Sequence, residues 1–465
     1  MEDFERERTP TSCPPSRIQD DQGTQNGSQS NNNHVIEIYK KDDLFLEARN
    51  GSRDAFRKVL DRVSAAEQTS FSDILRRLSP AGNTFLHVAA KHGNEDIVTY
   101  IAGNDPSLAL YKNSNGETAL HLAAKGGYES TAKALVKTHE SMHLLSSNEA
   151  DDNNILREKN EKGNTALHEA LINGQESIAE YLIQEDPEVS YYQNEGGESA
   201  LYLAAKAGFV ECVASILRST TDQERINEQF KNKSPIQAAI MEKNKDVLEA
   251  MFSVNPSLIL LKDGEGRTPL HCAASLGYLD NVQYLLDKYA PSATQRDKSG
   301  SLPIHMASIN GHVAIISALL KDCPFPEELL DGDGCNILHL AAKNGRHNAV
   351  KYILNNPDLT ELINMKDKYG NGPLHLATMH YYPRVVNLLT WDKRVDVKSV
   401  DNKGMTALDV AEYNMADNLD ACRRLTWVAL KAAGVPRSLS RKTLWYRFRN
   451  CNNVKRQGIP YICFL

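Results

Sequence analysis

Two apolar rhythms alternate along most of this chain. In "TPLHCAAS" (268–275), Leu270, Ala273 and Ala274 fall on one side of a helix. After Gly277 a second stretch places Val282, Leu285 and Leu286 at i, i+3 and i+4, again a single helical face. Polar turn-formers such as "QRDKSG" (295–300) follow, and then the sequence begins again. The pattern predicts a short helix, a glycine break, a second helix and an exposed finger. Thr268 precedes the first helix, where its hydroxyl can accept from a backbone N–H that has no helical partner. Pro269 suits the first turn because its missing donor would be unpaired there anyway. Ala273 and Ala274 are small enough for a neighbouring helix to approach, and Gly277 supplies the left-handed residue that ends the helix.

The unit recurs ten times. It reads "GNTFLHVAAKHG" (82), "GETALHLAAKGG" (116), "GNTALHEALING" (163), "GESALYLAAKAG" (197), "NKSPIQAAIMEK" (232), "GRTPLHCAASLG" (266), "GSLPIHMASING" (300), "GCNILHLAAKNG" (334), "GNGPLHLATMHY" (370) and "GMTALDVAEYNM" (404). Successive steps are 34, 47, 34, 35, 34, 34, 34, 36 and 34 residues. A period near 33 carrying T-P-L-H-x-A resembles the ankyrin repeat. The expected fold is therefore an all-α repeat solenoid of about ten ankyrin repeats over residues 41–418, each a helix-turn-helix with a β-hairpin finger. A degenerate copy, "DDLFLEARNGSRDAFRKVL" (42–60), is expected to cap its N-terminal end. The long step carries an insertion near 139–153, and the fifth unit lacks both glycines and the histidine (Asn232, Gln237, Lys243), which predicts a weaker interface there.

The neighbours His271 and Cys272 raise the question of a reactive pair. Seven of the 14 histidines, His87, His121, His168, His271, His305, His339 and His375, occupy one slot of the repeat. A residue used identically at this interval is structural, with the Thr hydroxyl and neighbouring backbone as its expected partners. No Walker loop, G-x-S-x-G, H-E-x-x-H or kinase signature occurs, so the expected role is non-enzymatic, with no cofactor and no metal. The eight cysteines are scattered without a C-x-x-C, as in reduced thiols of a cytosolic protein.

Charge changes the picture at the C-terminal end. The chain carries 53 basic and 60 acidic side chains, net −7, yet residues 421–465 hold ten basic groups and no acidic one, leaving −17 on the preceding 420. The acidic body repels phosphates, which excludes nucleic acid as its partner. Residues 419–465 read as a basic-aromatic tail, with Arg437, Arg441, Lys442, Trp445, Arg447, Phe448 and Arg449 as candidate contacts. Three destinations stay open for it: an anionic membrane surface, the acidic solenoid itself, or a calmodulin-like partner. Ser438 and Ser440 beside these basic residues are candidate phosphorylation sites. Residues 1–40, rich in Ser, Asn, Gln and Asp, are expected to be disordered. No signal peptide, myristoylation glycine or membrane-spanning run is apparent.

The residues after H-x-A-A are expected to face a concave groove. Lys91, Lys125, Lys206 and Lys343 share that slot, and Met379, His380 and Tyr381 fill the equivalent turn of the ninth unit, where aromatics replace the terminating glycine. Partners are expected to be other proteins, held by this groove and the finger loops.

Beyond the repeat itself, "GESALYLAAKAGFVECV", "GRTPLHCAASLGYLDNVQYLLD", "DGCNILHLAAKNGRHNAVKYIL" and "NGPLHLAT" resemble the plant ankyrin–PGG membrane proteins of the accelerated-cell-death type, over about residues 41–445. The resemblance implies a part in salicylic-acid-dependent defence and cell death. In that family "ALKAAGVPRSLSRK" (429–442) leads into a membrane domain near a Pro-Gly-Gly motif, which is not found here. A truncated or alternatively spliced form is therefore expected, cytoplasmic or peripheral at the inner face of the plasma membrane, with full-length membrane-bound relatives among its partners.

Overall fold

Each repeat closes on itself and on the next through the same few contacts. The computed structural model describes residues 43–143, 154–219, 233–321, 325–414 and 421–438. Inner helices such as Phe85–Lys91, Ala119–Gly126, Pro269–Leu276 and Pro373–Met379 stack in one layer. Outer helices such as Glu95–Asn104, Glu129–His143, Leu279–Lys288 and Pro383–Trp391 form a second layer behind them. The paired alanines are fully buried between inner helices, and the outer helices contribute Val282 and Leu285 or their equivalents. One continuous apolar core runs from Leu44 to Val435.

The fingers differ from the expected β-hairpins. Among the described residues strand pairing is reduced to two isolated bridges, Gln193 with Ser199 and Val400 with Thr406. An Asn or Asp three residues before the glycine shapes the turn instead. Asp297 Oδ1 accepts from the backbone N–H of Ser299 at 2.9 Å and of Ser301 at 2.8 Å, and Asn113, Asn160, Asp263, Asp331, Asp367 and Asp401 do the same. Such turns consume the donors that a ladder would use. Adjacent fingers are then joined by single backbone bonds, as from Lys298 N–H to the Glu265 carbonyl at 3.0 Å. Lysines reinforce the joint: Lys112, Lys159, Lys262 and Lys366 each donate to a carbonyl of the next finger at 2.7–3.1 Å.

Sequence departures have local consequences. Gly345 (φ 68°) ends its inner helix, and a Cβ there would meet the Tyr382 ring of the next repeat at 2.5 Å. Lys243 (φ 57°) and Tyr381 (φ 58°) hold the same left-handed conformation without being glycine, which L residues adopt at a cost. Contacts offset part of it: Lys243 lies 4.7 Å from the Tyr278 ring centre, and the Arg423 guanidinium 4.5 Å from that of Tyr381.

The described residues extend the stack beyond the repeat phrases at both ends. At the N-terminal end a helix over 43–50 and the helix Arg53–Glu67 sit on the first repeat, with the Phe45 and Phe85 rings 4.2 Å apart. At the other end, Ala421–Ala432 packs on Pro383–Trp391 as the outer helix of the tenth repeat. The solenoid therefore continues past 418, where the tail was expected to begin. Three basic residues made this helix look like tail, but Thr426, Ala429 and Leu430 bury one face of it. Residues 1–40, most of the insertion near 139–153 and Asn232 lie outside the described residues.

Candidate functional site

The histidine slot is an internal fastener. The backbone N–H of the residue three positions earlier (84, 118, 165, 268, 302, 336 and 372) points at the histidine Nδ1 at 2.9–3.3 Å. A backbone N–H can only donate, so Nδ1 must accept and the proton resides on Nε2. Nε2 then donates across the interface, from His87 to the Glu117 carbonyl at 3.0 Å and from His271 to that of Ser301 at 3.0 Å. His121, His168, His305, His339 and His375 repeat the contact at 2.9–3.2 Å. At His339 the Asn336 Oδ1, itself an acceptor, faces Nδ1 at 2.8 Å, nearer than the Asn336 N–H at 3.3 Å, so this proton placement holds for the other six rings. All seven rings are buried. Burial pushes their pKa values down, that of His168 to about 4.

This arrangement leaves His271 no free nitrogen to activate Cys272. Burial pushes the Cys272 thiol up to about 11, and the thiols of Cys212 and Cys335 up to about 12. A thiolate is the reactive form, so these groups are inert near neutral pH. No cluster of three or more metal-ligating side chains occurs among the described residues.

The groove slot lies four residues after the histidine, at the end of each inner helix. From the first repeat to the tenth it reads Lys91, Lys125, Ile172, Lys206, Met241, Ser275, Ile309, Lys343, Met379, Tyr413. Lys125 and Ile172 line one cleft together with the finger residues Lys162 and Glu195, so slot and fingers face the same space. Lys91, Lys125 and Lys206 are exposed, and Lys343 and Met379 half-buried. His380 is exposed, while Tyr381 is half-buried beneath Arg423. Reading the slot for its lysines and for the Met379 turn missed three further members: Ile172, Met241 and Tyr413 are 49%, 57% and 66% exposed.

The lysines differ in their counter-ions. Lys125 Nζ lies 3.6 Å from Glu117, and Glu198 occupies the matching place under Lys206, although Lys233 also holds its carboxylate at 2.8 Å. The residue in that place under Lys343 is Cys335, which is neutral. Lys343 has no ion-pair partner among the described residues. Around it, Cys335, Leu340 and Leu376 form a small apolar cluster separate from the main core, with Ile309 and Met379 packed over it.

The tenth repeat lacks the slot histidine. Asp409 replaces it, accepting from Thr406 N–H and Oγ1 at 3.0 Å and from the backbone N–H of Ser438 at 2.9 Å. A histidine here would bring a donor to a place where a donor already stands. Arg437, assigned to the tail by sequence, instead makes two hydrogen bonds to the Glu412 carboxylate at 2.7 and 2.8 Å. Ser438 is buried, so its use as a phosphorylation site requires this closure to open. Arg441, Lys442, Trp445, Arg447, Phe448, Arg449 and Ser440 lie outside the described residues. No helix among the described residues is long and apolar enough to cross a membrane.

Comparison with known proteins agrees with this geometry. A family model described as ankyrin repeats (three copies) matches residues 44–144, 139–227, 217–297 and 289–362, and one of many copies matches 338–390. The Arabidopsis thaliana protein named ACCELERATED CELL DEATH 6 is 32% identical over 387 residues, covering 81% of this chain and 57% of that protein. The chain thus spans less than two thirds of the length of that relative.

Proposed function

The chain belongs to the ankyrin-repeat family, and on that footing we propose that it is a non-enzymatic interaction scaffold whose inner face and fingers hold a partner protein. One observation carries the reading: the slot aligns exposed cationic and apolar side chains along a single face, next to the fingers. Ile172 and Met241 are large apolar groups about half exposed to water, and Lys343 is a cation without a counter-ion among the described residues. Large exposed groups on a rigid concave surface are the usual anchors of a protein interface.

The likeness to ACCELERATED CELL DEATH 6 supports placing this scaffold in plant cell-death signalling. The resemblance extends that to salicylic-acid-dependent defence, with full-length membrane-bound relatives among the partners. The rival reading, a peripheral membrane adaptor, draws its support from the basic residues at 441–456 and loses Arg437 to Glu412.

Lys343→Glu and Met379→Ala are both expected to reduce partner capture from plant extract by at least about tenfold, the scale of a single interface anchor. Helical content should stay unchanged, because both side chains are only half-buried. Capture equal to that of the unaltered chain in both variants would contradict the groove assignment.

A further inference from the structure

The apolar cluster of repeats seven to nine reads as a site with a missing carboxylate at its centre. Resting on the scaffold reading above, we infer that it accepts an amphipathic helix of a partner protein, presenting apolar side chains at i and i+14 and a carboxylate at i+7.

The charge follows from a comparison between repeats. Glu117 sits under Lys125 and Glu198 under Lys206, but Asn83 sits under Lys91 and Cys335 under Lys343, and of these two only Lys343 lies beside the apolar cluster. Ile309 and Met379 flank it on the neighbouring inner helices, Pro303–Asn310 and Pro373–Met379. A carboxylate brought between two apolar contacts loses water on both sides, and its attraction to Lys343 strengthens accordingly. The nearby finger carboxylates do not fill the role: Asp331 and Asp367 are turned into their own turns, where they accept backbone N–H groups, and Asp333 is exposed and makes no ion pair with Lys343.

The helical form follows from spacing. Packed helices lie about 8–10 Å apart, so Ile309, Lys343 and Met379 form a row with that step. Seven residues of α-helix rise about 10.5 Å in two turns and return to the same face. Three residues of a strand span about 10 Å but finish on the opposite face. A helix lying across the repeats therefore keeps register with three successive inner helices, and a β-strand does not. A polyproline II segment, returning to one face every three residues or about 9.3 Å, is told apart by a peptide whose residues 4, 11 and 18 share a face only as a helix. The pattern apolar, carboxylate, apolar is symmetric, so either chain direction satisfies it.

The test uses a labelled 22-residue Ala/Gln peptide with Leu at positions 4 and 18 and Glu at 11, titrated by fluorescence anisotropy against the whole chain. Binding is expected at least about ten times tighter than for the same peptide with Lys at 11, or with its Glu moved to 13, off the bound face. Lys343→Glu should reverse the preference between Glu and Lys. Cys335→Glu, which supplies an internal counter-ion in a register that Glu117 already occupies, should weaken the Glu peptide several-fold, while Cys335→Ser should not. Equal binding of the three peptides, or a preference that survives Lys343→Glu, overturns the inference. If that happens while Met379 still contacts partner proteins in cells, the scaffold reading stands and the helix assignment alone fails.

Discussion

Lowering the pH from 7 to 5 will reduce the free energy of unfolding of this chain, with His168 alone accounting for about 2 kcal/mol. The seven slot histidines are the cause. Their folded pKa values lie below the ordinary 6.5, with His168 at about 4, because burial disfavours the imidazolium. Above pH 6.5 the rings are neutral in both states and contribute no pH dependence. As pH falls through 6.5 the unfolded chain takes up protons that the folded chain refuses, and stability declines until each folded pKa is reached. One pKa unit is about 1.4 kcal/mol, so His168 contributes about 2 kcal/mol by pH 5, and the other six rings act in the same direction. Carboxylates act in a separate window. Burial pushes Asp105 up, but Arg76, Ser107 and Ser72 outweigh it and hold its pKa at about 2, so its contribution is lost only as pH falls below 3.8. Urea midpoints followed by circular dichroism between pH 7 and 5 are expected to fall steadily. A flat profile over that range would mean that the rings accept protons in place.

His271→Ala will cost about 3–5 kcal/mol, whereas Cys272→Ala will cost about 1 kcal/mol or less. The two neighbours differ because the ring satisfies two buried groups in two repeats. Without it, the Thr268 N–H and the Ser301 carbonyl lose their partner at the interface, and the buried ring leaves a cavity. An orphaned buried polar group costs about 1–3 kcal/mol, and the cavity adds to that. Cys272 is half-buried at the edge of the core and makes no such bridge. His271→Gln should recover part of the loss, since Gln237 in the fifth repeat reaches Asp263 of the next finger at 2.8 Å. Comparable urea unfolding energies for the Ala variants at positions 271 and 272 would refute the fastener role of the ring.

The repeat was legible because its physics is periodic: the phrase with its turn glycine, small-residue face and histidine recurs within a residue or two of 34 in eight of nine steps. Features that depend on one place in the stack were not. The helix Ala421–Ala432 carries no repeat phrase and three basic residues, so it read as tail although its apolar face completes the tenth repeat. The turns after the outer helices were also missed. "DPSLAL" at 105–110 and "NPSLIL" at 255–260 share an Asx-Pro start, and each forms a 3-10 turn headed by its proline. Four of the ten groove-slot positions were visible as lysines after the paired alanines, and a fifth as Met379. Ile172, Met241 and Tyr413 hold the same position without a shared residue type, so only the register finds them. Counter-ions were beyond the repeat phrase, because Glu117 and Lys125 are brought together by the finger folding back on the helix end.

A photocrosslinking residue placed at Met379, and in a second variant at the exposed outer-helix position Lys351, tests the scaffold most directly. After irradiation in plant cells, adducts to discrete other proteins are expected from position 379 and not from 351, and Lys343→Glu should abolish them. Adducts absent from 379, or equal from both faces, would contradict a partner-binding inner face.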